Sequence, residues 1–413
     1  MLFSIIFVTA TFAEFRAAIS VESITPDPLL PLSGGIGASI PAHTQKGDLT
    51  VRALVIEQDD VRVAIVSADL LGFPAVLGNK VRNLVNNIPP ENILIGVTHT
   101  HSAPDCYAFP SETGKVEADL DYIDMVCQKM ALAINNAVQN LQPASIKTAT
   151  GKARGKIAYN YYADELYDPR CLVLQCIDSQ GNPIATLVNY ATHPEILGPH
   201  RGILSPDLCG PLYDRIKAKG GGTAIFMNSA QGGMVTADCR GADGEDIQTW
   251  DECIRIGNLL ADEALRIISD APIQKSPALF CKVTEVTLPL ESPIMKFILE
   301  NSPLNYTTNS DGGISTQVNI VNLGDAQMLT IPGEALPNIG YYLRRKMHGK
   351  HNFLLGLTND AFGYLLTKVD YNSFKRYEYI TRTSLGEMAG EIFIEQSLKF
   401  INQCPKPEDP KTK

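Results

Sequence analysis

Two histidines, His99 and His101, are separated by one residue and directly follow the apolar segment Ile93–Val97. A β-strand sends alternate side chains to the same face, so histidines at positions i and i+2 point into the same space. Neutral imidazole nitrogen is a preferred ligand of Zn²⁺. The pair therefore predicts a metal-binding corner at the end of a buried strand. A chance pair is the alternative, although a chain with 7 histidines in 413 residues is expected to contain only on the order of 0.1 such pairs.

Other predicted strands also end in polar side chains: His193, Ser229, Glu334 and Tyr364. Ligands of α/β sheets bind beyond the carboxyl ends of strands, so residues that are distant in sequence can meet there. Each residue also has an ordinary structural explanation. His193 can cap a strand, and Ser229 is a common type of turn residue. Glu334 suits the first turn of a helix, and Tyr364 suits a core with a satisfied hydroxyl.

The elements that must position these residues alternate along the chain, which predicts an α/β fold. Apolar runs predict strands at 51–57, 61–70, 93–97, 171–177, 184–190, 224–227, 279–288, 316–323, 326–331 and 353–357. Helical periodicity predicts helices at 73–87, 121–141, 206–218, 252–269, 336–348 and 385–401. Residues 58–60 are typical of a hairpin turn between the first two strands.

Composition and charge indicate a globular protein. Of the 413 residues, 45% are hydrophobic and 19% are charged, which argues against wholesale disorder and allows a large core. The net charge of -10 argues against a nucleic-acid partner, because binding to phosphates needs a basic surface. The nine cysteines contain no Cys-x-x-Cys pair, and the sequence leaves open whether Cys209, Cys239 and Cys253 form disulfides.

Three segments stand apart from the predicted elements. Residues 2–13 form an apolar run whose length suits a cleaved signal peptide and is too short to span a bilayer. A cleaved signal predicts a secreted or periplasmic protein; a buried first strand in a cytoplasmic protein is the alternative. Residues 291–313, rich in Asn, Ser, Thr and Gly, predict a flexible excursion, and residues 404–413 predict a flexible tail. No other stretch is long and apolar enough to cross a membrane.

The segment Thr98-His99-Thr100-His101-Ser102-Ala103-Pro104 resembles the Thr-His-Thr-His-Ser-Gly-Pro signature of the neutral/alkaline, non-lysosomal ceramidase family. Further segments are similar to that family in the same order along the chain. They are Ile24-Thr25-Pro26, Val66-Ser67-Ala68-Asp69, His193-Pro194, Ser205-Pro206-Asp207, Asn228-Ser229 through Gly232, Pro332-Gly333-Glu334, and Gly356-Leu357-Thr358-Asn359 through Tyr364. The resemblance covers about residues 18–400.

The resemblance implies a single large catalytic domain at 18–403, preceded by a signal peptide or extension at 1–17. Its core would be a mixed β-sheet flanked by helices, without the carboxy-terminal β-sandwich of larger members. It further implies one Zn²⁺ per chain, held by His99, His193, Glu334 and Tyr364, with His101 beside the metal as a group that polarises the substrate. Because an amide anion is a poor leaving group, a general acid must protonate the amine, and His101 is the first candidate for this catalytic role. The implied activity is hydrolysis of the N-acyl bond of ceramide or a related lipid. Peripheral membrane contact would then accompany the substrate, and the oligomeric state stays open.

The chain departs from the family pattern near the site. The family's Gly-Asp-Val-Ser-Pro reads Gly232-Gly233-Met234-Val235-Thr236 here, so its acid falls on Gly233 and its serine on Val235. Ser229 and Thr236 offer nearby hydroxyl groups but align with neither position, and Tyr161 stands where the family often has arginine. Two alternatives therefore stay open beside the ceramidase reading. One is a zinc hydrolase of the same fold that acts on a non-sphingolipid amide or ester, and the other is a non-catalytic binding homologue.

Overall fold

A computed structural model of the protein describes residues 14–110 and 114–408. In this part of the chain the strands are β1 (Arg16–Ser23), β2 (Leu32–Ser33), β3 (Thr44–Gln45), β4 (Thr50–Gln58), β5 (Val61–Ala68), β6 (Ile93–Val97), β7 (Ala103–Pro104), β8 (Gln142–Lys152), β9 (Ala158–Asn160), β10 (Arg170–Asp178), β11 (Pro183–Tyr190), β12 (Ile203–Leu204), β13 (Thr223–Asn228), β14 (Val235–Ala237), β15 (Leu279–Leu288), β16 (Ile314–Leu323), β17 (Ala326–Thr330), β18 (Glu334–Ala335), β19 (His351–Leu355) and β20 (Tyr364–Leu365). The helices are α1 (Ala75–Arg82), α2 (Leu120–Gln139), α3 (Cys209–Ala218), α4 (Trp250–Ile268), α5 (Pro293–Asn301), α6 (Pro337–Lys346), α7 (Glu378–Arg382) and α8 (Ala389–Gln403). Short 3₁₀ turns lie at Pro90–Asn92, Pro199–Arg201 and Lys375–Tyr377.

Two sheets form the centre of the fold. Among the described residues, eight strands form one sheet in the order β13-β11-β10-β8-β1-β4-β5-β6, and four form a second in the order β15-β16-β17-β19. Antiparallel pairs predominate, while β5 with β6, β11 with β13, and β17 with β19 are parallel. The expectation of an α/β fold with a mixed sheet and flanking helices is confirmed.

The layers follow from the alternation of side chains along each strand. In β4, Val51, Ala53 and Val55 pack into a cluster with α1 and α2, whereas Leu54 and Ile56 face the second sheet. The cysteine-containing strand β10 alternates in the same way between helices α3 and α4 and the second sheet. Both faces of the eight-stranded sheet are therefore buried, which explains why these strands read as continuous apolar runs.

The second sheet is covered on its far side by helices. Val318 and Ile320 of β16 pack with α6 and α8, while Val321 and Leu323 of β16 belong to the cluster between the two sheets. The order of layers is therefore helices, eight-stranded sheet, four-stranded sheet and helices. Within the described chain, none of the helices has the length and apolarity needed to span a bilayer.

The eight-stranded sheet curls so that its two edge strands, β13 and β6, approach one another. The Ser67 hydroxyl on β5 donates to the carbonyl of Phe226 on β13 at 2.6 Å. The Asn228 side-chain amide, at the end of β13, donates to the Thr98 carbonyl just beyond β6 at 3.1 Å. The curl brings together the segments that follow β6, β11 and β13, which are the segments that carry the predicted site residues.

The amino-terminal boundary and one internal segment differ from the sequence-based expectation. Strand β1 begins at Arg16, two residues before the predicted start of the domain at 18, and it pairs along its whole length with β4. The predicted signal run at residues 2–13 lies entirely outside the described residues. The predicted excursion at 291–313 contains helix α5, because its apolar residues Met295 and Ile298 pack into the core beside the second sheet.

The predicted tail begins in contact with the fold. Cys404 is buried, and the Asn322 side-chain amide donates to the Pro405 carbonyl at 2.7 Å. Residues 409–413 lie outside the described residues. All nine cysteines are free in the structure, so the disulfides that the sequence left open for Cys209, Cys239 and Cys253 are not formed there.

Candidate metal centre

His99 occupies a constrained position just beyond β6. Its backbone has a φ of 71°, a left-handed conformation that is uncommon for residues other than glycine and that often marks a functional site. The backbone N–H of His99 donates to the Leu70 carbonyl at 3.0 Å. Its Nδ1 lies 2.6 Å from the Leu71 carbonyl, so Nδ1 carries the donated proton and Nε2 is left with its lone pair.

His193 is held in the same manner from the other side. It follows β11, is fully buried, and its Nδ1 lies 2.7 Å from the carbonyl of Val235. Its Nε2 is 3.0 Å from Oε2 of Glu334, and the Nε2 of His99 is 3.5 Å from the same oxygen. Two imidazole nitrogens, from the segments after β6 and β11, therefore converge on one carboxylate oxygen of Glu334 on β18.

The electrostatics of this triad favour a positive charge at its centre. Burial alone would lower the pKa of His193, but its hydrogen bond with Glu334 and the nearby charge of Glu195 raise that pKa to about 9. Burial would raise the pKa of Glu334, yet His99 and His193 hold it well below its usual range. The carboxylate is therefore charged at neutral pH and attracts a proton or a metal ion between itself and the imidazoles.

The position of Glu334 in the site is fixed by close backbone contacts on both sides of it. Strand β18 pairs with β20 so that Glu334 lies opposite Tyr364, and the Glu334 N–H donates to the Gly363 carbonyl at 2.8 Å. On its other side, a Cβ built on Gly232 would lie 2.1 Å from the Glu334 carbonyl oxygen. Only glycine allows this approach, so the Gly232 loop sets the position of the carboxylate.

His101 completes the group of histidines. Its ring centroid is 4.9 Å from that of His99 and 5.7 Å from that of His193, and the ligand atoms of the three residues lie within 4.8 Å of one another. Its Nδ1 is 3.4 Å from Oε2 of Glu195, while its Nε2 is buried and has no hydrogen-bond partner. Burial lowers the pKa of His101 to about 3, although Glu195 opposes the shift.

The fourth predicted ligand, Tyr364, borders the same pocket. Burial raises the pKa of its phenol well above the ordinary value, and Glu334 adds to this effect. The hydroxyl donates to Sδ of Met234 at 3.4 Å, and the ring centroid lies 6.0 Å from that of Tyr379. Tyr364 therefore pairs with Glu334 through the backbone, and both residues line the pocket.

The pocket joins the polar centre to an apolar wall. It has a volume of about 60 Å³, and His99, His101 and Glu334 line one side of it. Apolar side chains line the other side: Ile36, Leu71, Tyr107, Phe109 and Met295.

The two hydroxyl residues near the family's serine position lie in different surroundings. Ser229 is buried away from the pocket, and its Oγ accepts from Nη2 of Arg344 at 3.1 Å. Thr236 on β14 lies beside His193 and donates from its hydroxyl to the Glu195 carboxylate. The sequence interpretation did not include Glu195, although its position two residues after His193 was a usable signal.

The donor set fits a metal ion. His99 and His193 each donate from Nδ1 to a backbone carbonyl and turn Nε2 towards Glu334, and metal-binding histidines are commonly held in this way. Two imidazoles and one carboxylate are a common catalytic zinc set, and the unpartnered Nε2 of His101 adds a further nitrogen at the same place. The buried cluster can therefore hold a divalent cation.

Comparisons with known proteins agree with this architecture. No protein-family model matches the chain. It is 25% identical to neutral ceramidase B of Dictyostelium discoideum in an alignment of 234 residues, which covers 45% of this chain and about a third (33%) of that relative. The crystal structure of neutral ceramidase from Pseudomonas aeruginosa superposes with a TM-score of 0.75 at 16% identity, covering 96% of this chain and 75% of that one. A ceramidase complexed with C2 superposes with the same TM-score and identity over 96% and 76% of the two chains. The chain thus has the fold of the neutral ceramidase catalytic region, and the resemblance to neutral ceramidases indicated by its motifs is confirmed.

Proposed function

We propose that the protein is a zinc-dependent amide hydrolase that cleaves the acyl–nitrogen bond of ceramide or a related N-acyl lipid. The observation that carries the proposal is the convergence of His99, His193 and Glu334 at one end of a pocket with an apolar wall. The similarity to neutral ceramidases supports the choice of an amide bond. Both arguments concern the catalytic centre and leave the length of the acyl chain open.

In this proposal His99, His193, Glu334 and Tyr364 would hold one Zn²⁺ per chain. When bound, zinc lowers the pKa of a water molecule and polarises the amide carbonyl. The two imidazoles enter as neutral ligands because their Nδ1 protons are engaged by the carbonyls of Leu71 and Val235. The negative charge of Glu334 offsets part of the positive charge of the cation.

His101 moves the proton in the reaction that we propose. Its Nε2 has a lone pair and no protein partner, so it can accept a proton from the attacking water. The water oxygen bonds to the acyl carbon, the carbon–nitrogen bond breaks, and the same nitrogen returns the proton to the leaving amine. The products are a fatty acid and a free amine.

The apolar wall supports an acyl group as the part of the substrate that enters the pocket. Ile36, Leu71 and Met295 offer apolar surface beside the histidines, and burial of each methylene against such surface stabilises the complex by about 0.8 kcal/mol. A volume of about 60 Å³ has room for the start of one chain and not for two complete lipid chains. The remainder of a ceramide would extend beyond the mouth of the pocket, along the protein surface or in a membrane.

The small volume favours a second candidate, a zinc hydrolase that acts on a short, non-sphingolipid N-acyl amide or ester. Gly233 and Val235, which replace an acid and a serine of the family pattern, support the same alternative. Activity on fluorogenic N-acyl-sphingosine would favour the first candidate. Activity restricted to short N-acyl amino acids or esters would favour the second.

Metal analysis tests the proposal directly. The purified chain should bind one zinc ion, and His193→Ala should lose the zinc together with all hydrolysis. His348→Ala removes an imidazole elsewhere in the fold and serves as the matched control, which should keep both. If the wild-type chain binds zinc but cleaves none of these substrates, amide hydrolysis is refuted. If it binds no metal, the metal centre is refuted as well.

We also propose that the protein is secreted or periplasmic, on the basis of the apolar run at residues 2–13. Expression of the whole chain in a host with an export pathway, followed by amino-terminal sequencing of the product, tests this point. A cleaved product outside the cytoplasm supports it. A cytoplasmic product with an intact amino terminus contradicts it.

A further inference from the structure

Glu195, an acid outside the predicted ligand set, lies against the outer nitrogen of His101. Its Oε2 is 3.4 Å from His101 Nδ1, and the two side chains are only 23% and 14% exposed. His101 and Glu195 are held together by the backbone as well, because the His101 N–H donates to the carbonyl of Pro194 at 3.1 Å. The pair is therefore fixed by two separate contacts between the loops that follow β6 and β11.

The carboxylate is itself anchored. The Thr236 hydroxyl donates to the Glu195 carboxylate. Thr236 follows Val235, whose carbonyl orients His193. Strand β14 thus holds one imidazole through its backbone and the partner of another through a side chain.

The three histidines differ in what their Nδ1 atoms contact. His99 and His193 contact backbone carbonyls, which suits neutral rings that act as metal ligands. His101 contacts a carboxylate, which also stabilises an imidazole after it has accepted a second proton. The free Nε2 of His101 also sets it apart from His99 and His193, whose Nε2 atoms both face Glu334.

We propose that Glu195 is the positioning residue of His101: by accepting a hydrogen bond from Nδ1, it fixes the ring and its tautomer so that Nε2 faces the pocket with a free lone pair. Thr236 keeps the carboxylate in that place. This inference rests on the proposed amide hydrolysis, in which His101 transfers the proton. Glu195 touches neither the substrate nor the metal ligands in this role.

Kinetics of the zinc-loaded enzyme test the proposal. Glu195→Ala should lower kcat about 10²–10³-fold and change KM less than about threefold, because an imidazole of unfixed tautomer still leaves the pocket wall intact. Glu195→Gln keeps an acceptor oxygen and should recover part of the loss. Thr236→Val, which removes only the hydroxyl, should lower kcat about tenfold. All three variants should retain one zinc ion per chain.

A double-mutant cycle separates positioning from general structural support. In a His101→Ala background, Glu195→Ala should have no further effect on kcat, since the ring that it positions is absent. A further loss of more than about threefold, or loss of zinc from Glu195→Ala, would overturn the inference. If the wild type cleaves amides and Glu195→Ala has the same kcat, the positioning role is refuted and the proposed amide hydrolysis stands.

A spectroscopic measurement decides the matter even if no substrate is cleaved. Nitrogen-15 NMR of the histidine rings, assigned with His101→Ala, should show the Nδ1–H tautomer of His101 in the zinc-loaded wild type. Glu195→Ala should give a mixture of tautomers, while the signals of His99 and His193 should stay unchanged. Identical His101 signals in the wild type and the variant would refute the positioning role whatever the outcome of the activity assays.

Discussion

Replacing Gly232 with alanine should weaken metal binding without touching any donor atom. The added Cβ would lie 2.1 Å from the carbonyl oxygen of Glu334 and 2.7 Å from its carbonyl carbon, whereas real Cβ contacts are essentially never below 3.0 Å. The Gly232 N–H also donates to the Ala335 carbonyl at 3.0 Å, so the two segments cannot separate without straining this hydrogen bond. The backbone of Glu334 must therefore move by roughly 0.9 Å.

A displacement of this size is large for a metal ligand. Coordination distances are tolerated within about ±0.2 Å, and misplacement of a reacting group by about 1 Å costs on the order of 10²-fold in function. We expect the dissociation constant for zinc to rise about 10- to 100-fold and the free energy of unfolding to fall by about 1–3 kcal/mol. Competition with a fluorescent chelator measures the first quantity, and urea denaturation in EDTA measures the second.

Gly241→Ala is the matched control for this substitution. A Cβ at Gly241 would meet the end of the exposed Asp243 side chain at 2.8 Å, which can turn away at little cost. The control should bind zinc as tightly as the wild type. Wild-type zinc affinity in Gly232→Ala would refute the reasoning, because it would mean that the close backbone approach does not set the position of Glu334.

Three other substitutions test separate parts of the structure. Glu334→Gln removes the charge that opposes the two imidazoles and should weaken zinc binding at least about 100-fold, measured by metal content after dialysis. Asp360→Asn keeps the oxygen that accepts hydrogen bonds from two backbone N–H groups. In the wild type, burial raises the pKa of Asp360 to about 6, above its ordinary 3.8. The native state therefore binds the carboxyl proton more tightly than the unfolded state does. The stability that this confers on the wild type is present below about pH 4 and is lost as the pH rises through 6. Between pH 4 and pH 7, the unfolding free energy of the wild type should therefore fall by up to about 3 kcal/mol relative to that of Asp360→Asn. Arg344→Met leaves the buried Asp168 carboxylate without one of its cationic partners and should lower the unfolding free energy by about 3–5 kcal/mol in urea titrations.

The sequence predicted those elements whose signals are local. Strand β15 has the predicted bounds, 279–288, and the hairpin of β4 and β5 turns at the predicted residues. Strand β8 was missed because its sequence contains small and polar residues rather than an apolar run. It is a strand because β10 pairs with it over nine residues, a non-local interaction that no local pattern reveals.

The sequence indicated which residues form the candidate site, but not which of their side chains contact one another. The His-x-His spacing and the strand ends identified His99, His101 and His193, and the structure brings all three within one cluster with Glu334. The partner of His101 could not be found in this way, because Glu195 meets it only through the packing of two separate loops. Ser229, which the sequence left as a turn residue or a nearby hydroxyl group, is buried and accepts a hydrogen bond from Arg344.

The location of the centre also explains why strained backbone is tolerated around it. Besides His99, the segment after β19 has positive φ values at Leu357 (46°) and Asn359 (74°), conformations that cost of order 1–3 kcal/mol each. This segment fastens the second sheet to the first, because the Asn359 N–H donates to the Ile95 carbonyl at 2.6 Å and the Gly356 N–H donates to the Asn228 carbonyl at 2.9 Å. The imidazoles of the centre lie on segments that follow strands of the first sheet, and the carboxylate lies on β18, which follows β17 of the second sheet. A cation held between them would bind only the folded arrangement, so its binding free energy would add to the contact between the sheets and offset the strain that builds the site.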